Sequence, residues 1–515
     1  MWQPVTAPQP VTAPQLVTAP QLVTAPQLVI APRLVIAPQQ FTARPFSSSP
    51  QQGALSMGWH DDGGLHFALG IENTFVPQEA PGQRAIDEYE LTEHYQCYRS
   101  DLALAKDVGA QLLRWGIPWH RVNPAEGVWD WAWVDAAMAR FAELGLEPVV
   151  DLLHYGTPLW LEEQFAHPDF PRHFAEYAAR VAQRYEHIAT AYTPVNEPMI
   201  HAQFCGQYGY WPPYRHGRHG LLQLAVALAE ASAAAQRRIG EVLGGRAVFV
   251  HVDAGFRYVG DTEAPEHAER VEAMRHERYL VEDLLTGRVD VQHPLYAALL
   301  EAGVTPARLE ALLQDPTPPT VMGVNYYPLH STEVFEAGVH HGGGFADPRP
   351  TRDDGVQGLR EVLTAYEDRY QVPVMLTETC ITAPVAQRIA WLRDSVAEVH
   401  ALREQGRRVV GYTWWPLFDM YEWTYRHSTH PRGAHLLTMG LYDLVESPQG
   451  LQRVRTPVAD VFHELATRPA PASQAGTDRT AATSTRTSTS TGSSTRPSVP
   501  PPTAPTTVPV GATAT

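Results

Sequence analysis

The stretch YTPVNEPMI, residues 192–200, is a short apolar run that stops at Asn196, Glu197 and Pro198. A run that is apolar throughout, rather than alternating, is what a strand covered on both faces looks like. Its ending is unusual for such a strand. A carboxamide and a carboxylate stand side by side, and the proline after them removes a backbone donor and fixes φ. One carboxylate decides nothing alone, so its meaning depends on what the rest of the chain brings to it.

Similar runs recur at 64–71, 110–117, 146–153, 246–253, 319–326, 372–378 and 409–415, which with 189–196 makes eight strand candidates. Between most of them lie stretches of helical periodicity, among them 173–188, 221–243 and 385–406. Strands alternating with helices predict a parallel sheet, and eight of them over about 400 residues predict a single (β/α)8 TIM barrel of the α/β class with long βα loops. A doubly wound open sheet is the competing arrangement. It is disfavoured because no GxGxxG or phosphate-loop motif follows an early strand, and GGG at 342–344 lacks the right spacing.

Composition bounds the rest. The chain has 515 residues, 44% hydrophobic and 10% aromatic, which is enough to bury a large core. Its 39 basic against 56 acidic residues give a formal charge of −17, which argues against nucleic acid or an anionic membrane as partner and suits a neutral ligand. Cys97, Cys205 and Cys380 are odd in number and widely spaced, so neither a disulfide framework nor a CxxC metal site is predicted, and a reducing, cytoplasmic setting is expected. Residues 1–56 carry a six-residue repeat with proline at each turn (VTAPQP, VTAPQL, VIAPRL), predicting a disordered, extended segment, with Met57 a candidate start. Residues 57–466 are expected to form the (β/α)8 barrel domain and 467–515, rich in Thr, Ser and Pro, a disordered tail. No apolar run of membrane-spanning length occurs in the sequence.

Barrels of this kind build their sites at the C-terminal ends of the strands. The polar and aromatic residues that close the runs are therefore the candidates: Arg114, His154, Asn196, Glu197, Asn325, Tyr327, Glu378 and Trp415. Any one of them has a plain explanation, since strands usually end in polar residues, but their convergence does not. Two carboxylates at one barrel mouth, Glu197 and Glu378 on the opposed strands four and seven, suit cleavage of a glycosidic bond, which needs an acid for the leaving oxygen and a second carboxylate to attack carbon or activate water. Sequence spacing leaves open which of the two outcomes, retention or inversion, applies.

The motif TPVNEP resembles the TxNEP signature of glycoside hydrolase family 1, the β-glucosidase family. Other segments resemble that family in order: LLRWGIPWHRVNP (112–124), EPVVDLLHYGTPLWL (147–161), MGVNYYP (322–328), GYTWWPLFDMYEW (411–423) and GLYDL (440–444). The resemblance spans about residues 64–466. It implies a retaining β-glycosidase acting on neutral, small or oligosaccharide β-glycosides through a glycosyl-enzyme, with Glu197 as acid/base, which must start protonated, and Glu378 as nucleophile. It also implies that Asn196 holds the sugar 2-hydroxyl, that Arg114 and Tyr327 bond the nucleophile, and that His154, Trp415, Glu422 and Trp423 bind the glycone. No cofactor and no metal are implied. A transglycosidase using the same glutamates and a non-catalytic carbohydrate-binding protein are the alternatives, and no oligomeric state follows.

Three departures from the family pattern matter. The nucleophile lies in LTETC, so Thr379 and Cys380 replace the usual Asn and Gly. The family's YQIEG glutamine has no clean counterpart in GIENTFVPQ (70–78), where Glu72, Asn73 and Gln78 are all candidates. Glu422 with Trp423 argues against 6-phosphoglycosides, because a carboxylate there repels phosphate. The segment 425–439 is longer than usual and is expected to shape the aglycone entrance. YGYWPPY (208–214) reads equally as a sugar-stacking wall or a packed loop. The histidines of 216–220 and 340–341 read as loop residues rather than metal ligands.

Overall fold

All eight apolar runs become parallel strands: β1 (His66–Gly70), β2 (Leu112–Gly116), β3 (Glu147–Asp151), β4 (Ala191–Thr193), β5 (Val248–Ala254), β6 (Val321–Asn325), β7 (Val374–Glu378) and β8 (Val409–Trp414). In the computed structural model, which describes residues 58–77, 82–260, 265–335 and 350–468, each strand pairs with its sequence neighbours and β8 pairs with β1 to close the barrel. The expected (β/α)8 barrel is therefore the observed one. The repeat of residues 1–56, Gln78, the 340–341 histidines and the tail beyond 468 fall outside the described residues.

Closure brings together strand ends that the sequence keeps far apart. Arg114 of β2 lies level with Gly70 of β1 and Val149 of β3, and Glu378 of β7 lies level with Asn325 of β6. Inside the barrel, Ala68, Leu112, Val149, Ala191, Val250, Val252, Val321 and Met375 pack together. Small and β-branched residues suit that narrow interior, which side chains must fill without strain. The outward-facing residues of the same strands pack against the helices in one large core, so both strand faces are buried. This is why the runs are apolar throughout instead of alternating.

The helices match the periodic stretches with shifted ends: Phe170–Tyr185, Gly217–Leu243 and Val385–Glu404. The first begins before 173 because Pro171 sits in its opening turn, where a missing N–H costs nothing. The last helix, Pro457–Thr467, buries Val458 and Phe462. All three cysteines are free. Among the described residues no helix is long and apolar enough to cross a membrane.

Candidate active site

A cavity of about 630 Å³ opens at the C-terminal ends of the strands. Its wall contains nine residues singled out from the sequence: His154, Asn196, Glu197, Asn325, Tyr327, Glu378, Trp415, Glu422 and Trp423. Arg114 lies buried behind that wall, in contact with several of them.

Glu378, the last residue of β7, is held from both sides. Arg114 Nη2 donates to its Oε1, and the Tyr327 hydroxyl donates to its Oε2 at 2.6 Å. Burial pushes the Tyr327 phenol well above its usual range, so it remains a donor. Arg114 lies 4.0 Å over the Trp415 ring and bonds Asp151 at 3.2 Å and Asn196 at 2.7 Å through Nη1. Removing one member of a buried pair such as Arg114–Glu378 typically costs about 3–5 kcal/mol. After Glu378 the unusual Thr379 pins the turn: its hydroxyl donates to the Tyr326 carbonyl at 2.6 Å and accepts from Trp391 Nε1. Cys380 follows, buried, with its thiol pushed well up by desolvation, so it behaves as a small apolar wall residue.

Glu197 is seated differently. Asn325 Nδ2 donates to its Oε1 at 2.8 Å, and the Tyr155 hydroxyl donates to its Oε2. Thr377 donates to Asn325 Oδ1 at 2.7 Å, which fixes the amide with its NH2 toward Glu197. Asn325, expected to bind substrate, thus also orients a carboxylate. The backbone of Glu197 is left-handed, with φ 40°, just before Pro198 opens the short helix Pro198–His201. A non-glycine residue held there costs about 1–3 kcal/mol, and such strain persists only where the surroundings enforce it.

Tyr155 is the site residue that the sequence reading missed. It too has positive φ, 74°, and burial keeps its phenol protonated. Its backbone N–H donates to His201 Nε2 at 3.1 Å, and burial holds the His201 imidazole well below its usual 6.5. The sign follows. Below about pH 6.5 the unfolded chain takes up a proton that the folded one refuses, so stability is present above that pH and lost as the pH falls. The expected difference between the native protein and His201→Gln in chemical unfolding shifts by up to about 1.4 kcal/mol per pH unit below 6.5. A difference that stays flat from about pH 7 to about pH 5 would contradict this.

Asn196 sets a chain of proton positions. Arg114 can only donate, so Asn196 Oδ1 faces it and Nδ2 faces His154 Nε2 at 3.1 Å. His154 Nε2 is then the acceptor, and its Nδ1–H donates to Asp151 at 3.0 Å. The second N–H of Asn196 is left for the pocket.

At the end of β1 the structure separates two of the three candidates, Glu72 and Asn73, while Gln78 lies outside the described residues. Glu72 lines the cavity, whereas Asn73 turns behind it against Gly116. Glu72 Oε2 accepts from Trp415 Nε1 at 2.9 Å, and Oε1 accepts from the Thr74 backbone N–H at 3.0 Å and from its hydroxyl. Trp415 reaches this place only because residue 70 is glycine: a Cβ there would lie 1.8 Å from the indole. Gly70→Ala is accordingly expected to displace the ring and lower kcat/KM about 10²-fold. Unchanged kcat/KM in the variant would show that Trp415 placement is not critical.

Behind the pocket, Trp211 is fully buried against Tyr155, Phe204 and Trp423 at 4.8–5.2 Å. Trp211 is therefore packing that supports Trp423. Among the described residues Trp423 Nε1 has no hydrogen-bond partner. From the 425–439 segment, Leu437 and Met439 line the cavity. Outside the cavity, His251, Asp253 and Glu282 bring ligand-type atoms within 4.8 Å of one another. Burial, reinforced by Glu282, pushes the Asp253 carboxyl well up, which favours a protonated acid at that point.

With this geometry in view, the comparisons with known proteins are specific. The Glycosyl hydrolase family 1 model matches residues 70–337, just over half the chain. Beta-glucosidase 29 of Arabidopsis thaliana is 22% identical over 466 residues, covering 76% of this chain and 75% of its own. Thermostable beta-glucosidase B of Thermobispora bispora is 27% identical over 407 residues, covering 73% and 81%. The fold of the Thermotoga maritima beta-glucosidase, solved in complex with deoxynojirimycin, matches with a TM-score of 0.64 at 18% identity over 78% of this chain and 98% of that one. The chain belongs to glycosyl hydrolase family 1 and is a glycoside hydrolase.

Proposed function

We propose that the protein is a β-glucosidase-like, retaining enzyme that hydrolyses the O-glycosidic bonds of small or oligosaccharide β-glycosides by double displacement, with Glu378 as nucleophile and Glu197 as acid/base. The observation that carries this reading is the unequal seating of two carboxyl groups in one pocket. Glu378 is bonded by a guanidinium, which suits a group that must attack as an anion. Glu197 is bonded by a carboxamide and a phenol, and among the described residues no cation bonds it, which suits a group that begins as a proton donor.

In the first step a Glu378 oxygen forms a bond to the anomeric carbon while the bond to the leaving oxygen breaks, and that oxygen takes the proton of Glu197. The product is an ester between the sugar and Glu378. In the second step Glu197, now a carboxylate, takes a proton from water, the water oxygen bonds the anomeric carbon, and the ester C–O bond breaks. Both groups return to their starting states. The free N–H of Asn196 holds the sugar 2-hydroxyl in this reading, a contact that strengthens as charge grows at the neighbouring carbon.

The test uses a 2-deoxy-2-fluoro β-glucoside with a 2,4-dinitrophenyl leaving group. Fluorine slows both steps and the leaving group restores the first, so the ester accumulates. Mass spectrometry is expected to find the sugar on Glu378. An active enzyme that carries no adduct there, or carries one elsewhere, would overturn the assignment. An adduct released faster by an added alcohol than by water would mark a transglycosidase.

A further inference from the structure

Among the described residues four glutamates line the cavity, Glu72, Glu197, Glu378 and Glu422, and no lysine or arginine does. Glu378 has its counter-charge in Arg114, and Glu197 starts as the acid. Glu422 is half exposed, with the His435 ring at 3.8 Å. Glu72 is the exception, being 3% exposed. Its three protein partners, the Thr74 backbone, the Thr74 hydroxyl and the Trp415 indole, are neutral donors. The nearest ring that could carry charge, His154, has Nε2 at 3.4 Å. The Asn196 amide already donates to that nitrogen, so it presents a lone pair and not a proton.

Two consequences follow from the pattern. Donors reach both Glu72 oxygens, so a carboxylate satisfies the arrangement, whereas a carboxamide would turn an NH2 against either Trp415 Nε1–H or Thr74 N–H. A carboxylate so placed keeps acceptor capacity toward the cavity and has no cation partner among the described residues, and a buried charge is costly until paired. A glycone hydroxyl meets the hydrogen-bond need but leaves the charge uncompensated. An ammonium meets both, through a charge-assisted bond about twice as strong as a neutral one.

We propose that Glu72 determines glycone specificity by pairing with an ammonium group, so that the preferred substrates are β-glycosides of amino sugars. The proposal rests on the glycosidase reading above and replaces the neutral glycone expected from the sequence with a cationic one. It also excludes anionic glycones more strongly than Glu422 alone, because two carboxylates then face the sugar.

The test compares 4-nitrophenyl β-glucoside with its 3-amino, 4-amino and 6-amino deoxy analogues and with their N-acetyl counterparts, in the native protein and in Glu72→Gln. At least one amino glycoside is expected to exceed both the parent and its own N-acetyl form by about 10-fold or more in kcat/KM. In Glu72→Gln that ratio is expected to fall by about 10- to 100-fold. The ratio is read on one preparation, so a partly folded variant does not distort it. A parent glucoside preferred over every amino analogue, or a preference that survives Glu72→Gln, overturns the proposal while labelling of Glu378 by the fluoroglycoside still supports the glycosidase. Failure to cleave any of these compounds, together with an unlabelled Glu378, overturns the glycosidase reading itself and this proposal with it.

Discussion

Replacing Glu378 by alanine is expected to lower kcat/KM by about 10⁴-fold or more on every β-glycoside, because the covalent route is lost and the remaining groups cannot supply a nucleophile. The variant should also expose a diagnostic reaction. With the carboxylate gone, space beside Arg114 and Tyr327 opens to a small anion. On a 2,4-dinitrophenyl β-glycoside, azide attacks the anomeric carbon from that side in a single displacement and yields the α-glycosyl azide. Azide is expected to restore turnover, and product NMR identifies the anomer. A β-glycosyl azide, or activity within about tenfold of the native protein, would place the nucleophile elsewhere. Glu378→Ala also leaves Arg114 without its ion-pair partner, so a loss of about 3–5 kcal/mol in unfolding free energy is expected in parallel. Rescue by azide separates the chemical defect from that structural one, since an unfolded protein gains nothing from azide.

Glu197→Ala is expected to produce the complementary pattern. Protonation of the leaving oxygen matters most when that oxygen is basic, so alkyl and sugar leaving groups should lose about 10³- to 10⁴-fold in kcat/KM. A dinitrophenolate leaves without help, so the first step should be nearly unchanged for it and the ester on Glu378 should accumulate as a burst. Azide then attacks that ester from the opposite face and gives the β-glycosyl azide. The two variants are thus expected to give opposite anomers from one substrate and one nucleophile. Equal losses for all leaving groups in Glu197→Ala would mean that Glu197 positions substrate rather than donating a proton. The strained backbone at residue 197 adds a point: alanine tolerates φ 40° no better than glutamate, so the variant keeps the local strain while losing the bonds from Asn325 and Tyr155 that enforce it.

Much of the site was legible in the sequence because barrel chemistry sits where apolar runs end. His154, Asn196, Glu197, Asn325, Tyr327, Glu378 and Trp415 close or follow strands, and each lines the cavity. Other features were not legible for identifiable reasons. Tyr155 follows His154 and looks like an ordinary aromatic. Only its left-handed backbone, held by His201 some 46 residues away, turns its hydroxyl to Glu197. Glu72 could not be separated from Asn73 by pattern, since adjacent residues at a strand end face opposite ways and the loop that follows obeys no period. The choice came from Trp415, whose indole bonds Glu72 across the β8–β1 closure at a separation of 343 residues. The role of 208–214 was ambiguous for a related reason. Aromatic residues serve equally as packing or as a stacking surface, and Trp211 is buried by Tyr155, Phe204 and Trp423.

The amino-acid sequence by itself determined the strand count, the parallel class of the barrel and the place of Glu197 and Glu378 at strand ends. Those features rest on local hydrophobic pattern and on residues at strand ends, both of which are written along the chain. Only the tertiary structure decided which donor each carboxyl group receives, where protons sit along Arg114, Asn196 and His154, and that Glu72 enters the pocket with no cation beside it among the described residues. The physical reason is that hydrogen bonds and charge compensation depend on atoms a few ångströms apart in space, and barrel closure brings those atoms together from strands whose sequence separation carries no distance information.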